Sequence, residues 1–79
     1  MNNKNSNAII SVILVPKIVH RISIYLSIDE ISAINIFYAS KTYEVLSNID
    51  TGLWVYSELT LFNIWKDEYE IGVMNYPEG

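Results

Sequence analysis

The chain has 79 residues, 51% of them hydrophobic, a net charge of −4 and no cysteine. That is room for one domain with no disulfide and no thiolate metal site to hold it together, and its single histidine, His20, cannot build a zinc site alone. A pI of about 4.6 comes with no basic stripe to neutralise phosphates, which speaks against DNA or RNA partners. A single core of this size seldom supplies more than about 3–5 kcal/mol of net stability. Its surplus of apolar side chains therefore points to a face buried against a partner, or else to a membrane.

Residues 1–7, MNNKNSN, are polar and asparagine-rich and predict a disordered lead, taken here to extend through residue 9. The longest apolar run is Ala8–Val19, AIISVILVPKIV, interrupted by Ser11, Pro16 and Lys17. A spanning helix needs about 20 predominantly apolar residues, and no membrane segment is expected from this run. Lys4 is the sole basic residue before it and no small-residue cleavage site follows, so a signal peptide is not expected either. Ile10–Val15 is β-branched but has no partner strand, and reads as an extended lead-in.

Pro16 suits the first turn of a helix. Ile18, Ile22, Tyr25 and Leu26 then recur on one face, widened by Val19, with His20, Arg21 and Ser23 away from it. Ser27 and Glu30 stand at capping-box spacing, with Asp29 as the alternative cap. A second helix is predicted from about Asp29 to Tyr38, lined by Ile31, Ile34 and Tyr38 and broadened by Ile36 and Phe37. Ser40 can cap a third, Lys41–Asn48, whose apolar residues are Tyr43, Val45 and Leu46. After the turn chemistry of Asn48–Gly52, Leu53–Trp65 reads as helical, with Trp54, Leu61, Phe62 and Trp65 on one face. Residues 67–79 are expected to be an irregular acidic tail, which leaves residues 10–66 as the domain.

No catalytic constellation is legible. Asp29 and Glu30 are adjacent and point to different sides of a helix. Asp67, Glu68 and Glu70 read as a solvated run, and His20 has no nucleophile at readable spacing. Neither a P-loop nor a G-x-G-x-x-G loop occurs. The expectation is a protein that is not an enzyme and has no cofactor, metal or small-molecule substrate.

Leu14–Trp54 taken as one unit, LVPKIVHRISIYLSIDEISAINIFYASKTYEVLSNIDTGLW, resembles the F-box domain. That family opens on Leu-Pro and an isoleucine/leucine-rich helix ending in an aromatic-leucine pair. Here the first join is Tyr25-Leu26-Ser27-Ile28-Asp29-Glu30-Ile31, the centre is Ala39-Ser40-Lys41-Thr42-Tyr43, and the end is Leu53-Trp54. The acidic residue usual after the proline is absent, and the stretch from Leu26 to Ala39 is longer than the common form.

The resemblance implies an all-α fold: a small three-helix orthogonal bundle with a further C-terminal helical segment. It implies an intracellular protein, cytoplasmic or nuclear, that docks on a Skp-family adaptor, and through it a cullin, to recruit targets for ubiquitylation. A competitor for the adaptor, a structural subunit of an adaptor complex without ligase role, and a small membrane-attached protein stay open as alternatives. The adaptor contact would fall on Leu14, Val15, Pro16, Ile18, Val19, Ile22, Leu26, Ile28 and Ile31, completed by Lys41, Tyr43, Leu53 and Trp54. Any helical bundle needs Ile18, Ile22 and Leu26 for its own core as well. Val15, Pro16 and Ile28, at the helix entry and the join, are weighted toward the partner, and Trp54 serves either role.

A buried unpaired carboxylate costs several kcal/mol, comparable to the whole stability of so small a domain. Ile22→Asp is accordingly expected to abolish helicity in circular dichroism. Asp67→Ala, in the charged run, is expected to change stability by less than about 0.5 kcal/mol.

Overall fold

The computed structural model describes residues 8–75. The polar lead expected at residues 1–7 and the last part of the expected tail lie outside them. All regular structure among the described residues is helical: π1 (Ile9–Leu14), α1 (Val15–Leu26), α2 (Glu30–Tyr38), α3 (Lys41–Ser47), the short 3-10 turns Ile49–Thr51 and Leu53–Val55, and α4 (Glu58–Ile71). The fold is the small all-α bundle that the sequence predicts. α1 packs between α2 and α4, and α3 packs on α4 and the second 3-10 turn.

The expected extended lead-in is instead helical and runs straight into α1. Ile10 and Leu14 are 3% and 8% exposed and continue, at four-residue steps, the stripe of Ile18 and Ile22, which are fully buried. Burial of that stripe outweighs the β-branched preference of the segment. Proline inside an α-helix clashes with the carbonyl four residues back and removes a hydrogen bond. The turn just before Pro16 is a π turn, in which the Val15 N–H donates to the Ile10 carbonyl five residues back. This wider turn takes up the mismatch, and the helix passes through Pro16.

α1 ends at Ser27, a non-glycine residue in the left-handed region at φ 57°. Its N–H donates to the carbonyl of Ile24 and the Ile28 N–H to that of Ser23. Asp29, not Ser27, caps α2: its carboxylate accepts from the Ser32 N–H at 3.1 Å and the Ser32 hydroxyl at 2.7 Å. The hydroxyl bond foremost, and then the backbone bond, hold the Asp29 carboxyl below the ordinary carboxylate range. The inner face of α2 also differs from the expected one. Ala33 and Phe37 are fully buried, whereas Ile31 and Tyr38 are 74% and 50% exposed. Ala33 carries only a methyl group, so α1 and α2 approach closely there and Phe37 one turn on fills the interior. Ser23, expected off the inner face, is buried and satisfied by donating to the His20 carbonyl at 2.7 Å.

Helix α4 starts later and ends later than the hydrophobic pattern predicts. Trp54 belongs to the 3-10 turn, and Ser57 caps α4 by accepting from the Thr60 N–H at 3.2 Å. Leu61, Ile64 and Trp65 form its buried face. The helix continues through the charged residues to Gly72, which closes it at φ 76°. Residues 67–71 are therefore helix and not irregular tail.

The reason lies in Glu68, which is not part of a freely solvated run. Its carboxylate accepts from the Lys41 N–H, the Thr42 N–H (both 2.8 Å) and the Thr42 hydroxyl at 2.7 Å. Ser40 accepts from the Tyr43 N–H at 3.1 Å. The first three backbone donors of α3, which no helix satisfies internally, are thus all met, two of them by a side chain from α4. Desolvation pushes the Glu68 carboxyl up, but the bonds from Thr42 and Lys41 and the Lys41 charge outweigh it, so its pKa lies below the ordinary 4.5.

A carboxylate with a lowered folded-state pKa contributes stability that is present above its unfolded value and is lost as the pH falls through the lowered one. Glu68→Ala is expected to cost about 1–2 kcal/mol at neutral pH, as the loss of a cap. It should also flatten the acid limb of stability below pH 4.5, measured by urea melts across pH.

Candidate partner-docking surface

The residues that the resemblance assigns to a partner divide into three groups. Leu14, Val15, Ile18, Val19, Ile22 and Leu53 are at most 8% exposed and belong to the core. For Leu14, Ile18, Ile22 and Leu53 the expected contact role gives way to packing in the closed bundle, whereas Val15 and Val19 pack there and also line the groove between α1 and α2. Leu26, Ile28, Tyr43 and Trp54 are half-buried against that core. Trp54 spends its indole N–H on the Ile49 carbonyl at 3.2 Å and so closes the domain's own turn. The ring of Tyr43 lies 5.5 Å from Phe37 and 4.7 Å from Tyr38, centroid to centroid. Pro16, Ile31 and Lys41 are exposed, although the Lys41 backbone N–H is taken by Glu68.

Two of these exposed residues share a site. Between α1 and α2 runs a groove of about 320 Å³, lined by Ser11, Val15, Pro16 and Val19 on one wall and Glu30, Ile31, Ile34 and Tyr38 on the other. Its walls are largely apolar. The side chains of Ile31 and Tyr38 stand open at the surface. At its rim His20 Nδ1 lies 2.9 Å from a Glu30 carboxylate oxygen, with both side chains mostly exposed. The groove exists because α2 is turned so that Ala33 and Phe37 face inward, leaving Ile31 and Tyr38 outside. Ala33 followed four residues later by Phe37 is the sequence signal that marks this orientation.

A second groove lies on the other side of α1, between it and α4. Pro16, Lys17, His20, Arg21, Ile24 and Glu58 line about 490 Å³ of it, and Arg21, Ile24, Tyr25 and Phe62 a further 280 Å³. Arg21 Nε donates to a Glu58 carboxylate oxygen at 2.8 Å across it. Sequence reasoning assigned no role to Ile24, which is 66% exposed.

Ile9–Leu26 forms one helical stretch of 18 residues with a mean hydropathy of 1.7, long and apolar enough by length and composition to cross a membrane. The interruption expected at Pro16 and Lys17 does not break it. Among the described residues no three metal-ligating side chains converge. No family model matches the chain, nor does any curated protein or solved structure.

The two roles on α2 are separable by mutation. Ile31→Ser is expected to leave thermal stability within about 0.5 kcal/mol, as a surface change. Ala33→Leu, forced into the closest approach of α1 and α2, is expected to cost about 1–3 kcal/mol. Thermal melts of the two variants measure both.

Proposed function

We propose that this chain is a docking module of the F-box type, without a catalytic role, that binds a Skp-family adaptor and through it a cullin, so that a target can be ubiquitylated. The observation that carries the reading is the groove between α1 and α2. Pro16 and Ile31, two residues that the F-box resemblance assigns to the adaptor, line it together and are exposed. A small domain that leaves Ile31 and Tyr38 in water has apolar surface for a partner helix to cover. Each Å² of apolar surface so covered contributes about 25 cal/mol. The polar pair of His20 and Glu30 at the rim suits the edge of such an interface.

A membrane-attached protein is the second reading, favoured by the hydropathy and length of Ile9–Leu26. Against it, Ile18 and Ile22 in the middle of that stretch are fully buried in the bundle. Insertion requires the bundle to open and takes Lys17, His20 and Arg21 into lipid, at a cost of several kcal/mol. Sedimentation of lysate membranes separates the two readings.

The adaptor reading is tested by calorimetric titration of the chain with a Skp-family adaptor. The pair Pro16→Ala, Ile31→Ala is expected to weaken binding by about 1–3 kcal/mol, the range of interface anchors below the strongest hot spots. Helix content is expected to stay intact, because alanine is accepted at both positions. An unchanged dissociation constant would remove the groove from the adaptor interface.

A further inference from the structure

The α1–α4 groove collects the positive charge of an acidic domain. Of the described cations, Lys17 and Arg21 line it, and Lys66 sits 5.2 Å above the ring of Tyr25, which forms its far end. Lys41 is the one described cation elsewhere, where acidic residues outnumber it. Glu58 is the acid in the groove, and Arg21 already engages it. The floor is apolar: Ile24 is 66% exposed and Tyr25 37%, and the Tyr25 ring stands edge-on to Phe62 at 5.8 Å. Tyr25 also packs edge-on to Trp65 at 6.3 Å, while Ile24 stands open beside it, and the cations flank this surface at both ends.

We propose that the groove between α1 and α4 docks an acidic peptide segment carrying a bulky apolar side chain. The apolar anchor would seat on Ile24, Tyr25 and Phe62, and carboxylates on either side would meet Lys17 and Lys66. The separated positive ends favour a strand of negative charge over a single anion, and charge complementarity of this kind steers encounter and fixes register. A lipid surface or a nucleic acid fits less well. Both present broad negative charge to a domain whose net charge is −4, and only a narrow segment meets the groove without meeting the acidic remainder. Pro16 lines both this groove and the α1–α2 groove. That the peptide belongs to a ubiquitylation target rests on the function proposed above; the binding itself does not.

The test is fluorescence anisotropy with a fluorescein-labelled peptide of Asp and Glu flanking a central Leu-Phe pair. It is titrated onto the full chain alone and onto the chain bound to a Skp-family adaptor. Saturable binding is expected, weakened at least about tenfold by the pair Lys17→Glu, Lys66→Glu and about fivefold by Ile24→Ala. Should the charge-reversed pair lose its circular dichroism signal, Lys17→Gln with Lys66→Gln takes its place, with a smaller loss in the same direction. The same peptide with Asn and Gln in place of Asp and Glu should bind more weakly. Equal binding of the neutral peptide, an unchanged affinity in the folded double variants, or capture of phosphatidylserine vesicles without peptide binding would each overturn the proposal. Peptide binding without adaptor binding sinks the ligase reading and leaves the groove standing; adaptor binding without peptide binding does the reverse.

Discussion

Ile10, Leu14, Ile18 and Ile22 recur at every fourth residue of one long helix and are all buried. Everything else in the domain is arranged around that stripe. Once its inner side is covered by α2 and α4, the outer side must face away from both, which leaves Pro16, Lys17, His20 and Ile24 at the surface. The two grooves are the two edges of this one helix, where it meets α2 on one side and α4 on the other. A domain without disulfides has little other means of fixing geometry, and close packing of a few large side chains (Phe37, Leu46, Leu61 and Trp65) holds the helices in register.

The polar groups follow the same economy. No buried side-chain nitrogen or oxygen among the described residues lacks a hydrogen-bond partner. The starts of α2, α3 and α4 are met by Asp29, Ser40 and Ser57, each accepting from a backbone N–H three residues on. Thr42, fully buried, is satisfied through Glu68. In a domain of marginal stability each such cap matters, because losing one costs about 0.5–2 kcal/mol.

Much of this was legible in the sequence, and the misses share a cause. Helix existence, the Ser40 cap and the Ile18–Ile22 stripe follow from local spacing and cap chemistry, which act within a turn or two. What the sequence did not disclose depends on contacts between distant residues. Ile31 and Tyr38 look like an inner face because they are apolar and correctly spaced, yet Ala33 and Phe37 win the interior, since a methyl group lets two helices approach. Ile10–Val15 looks extended until Ile10 and Leu14 are seen to prolong a stripe already buried. Glu68 looks solvated because its partners, Lys41 and Thr42, are 26 to 27 residues away. The start and end of α4 were readable from Ser57 and Gly72, but the apolar spacing of Trp54 with Leu61 masked them. For the candidate site, the residues that the resemblance names fall on α1, α2, α3 and the joins beside them, and spacing alone does not separate those that pack inward from those left outside.

The bond from Glu68 to the start of α3 also sets an order on synthesis. The chain is made from its N-terminus, so α1, α2 and α3 are all synthesised before residue 68. Until then the first turn of α3 has its Ser40 cap but lacks the carboxylate that takes the Lys41 and Thr42 N–H groups. Trp65 and Ile64, which complete the core, arrive in the same stretch. The apolar stripe therefore lacks the cover of α4 until that helix has been made. In that interval the same surfaces are open to chaperones.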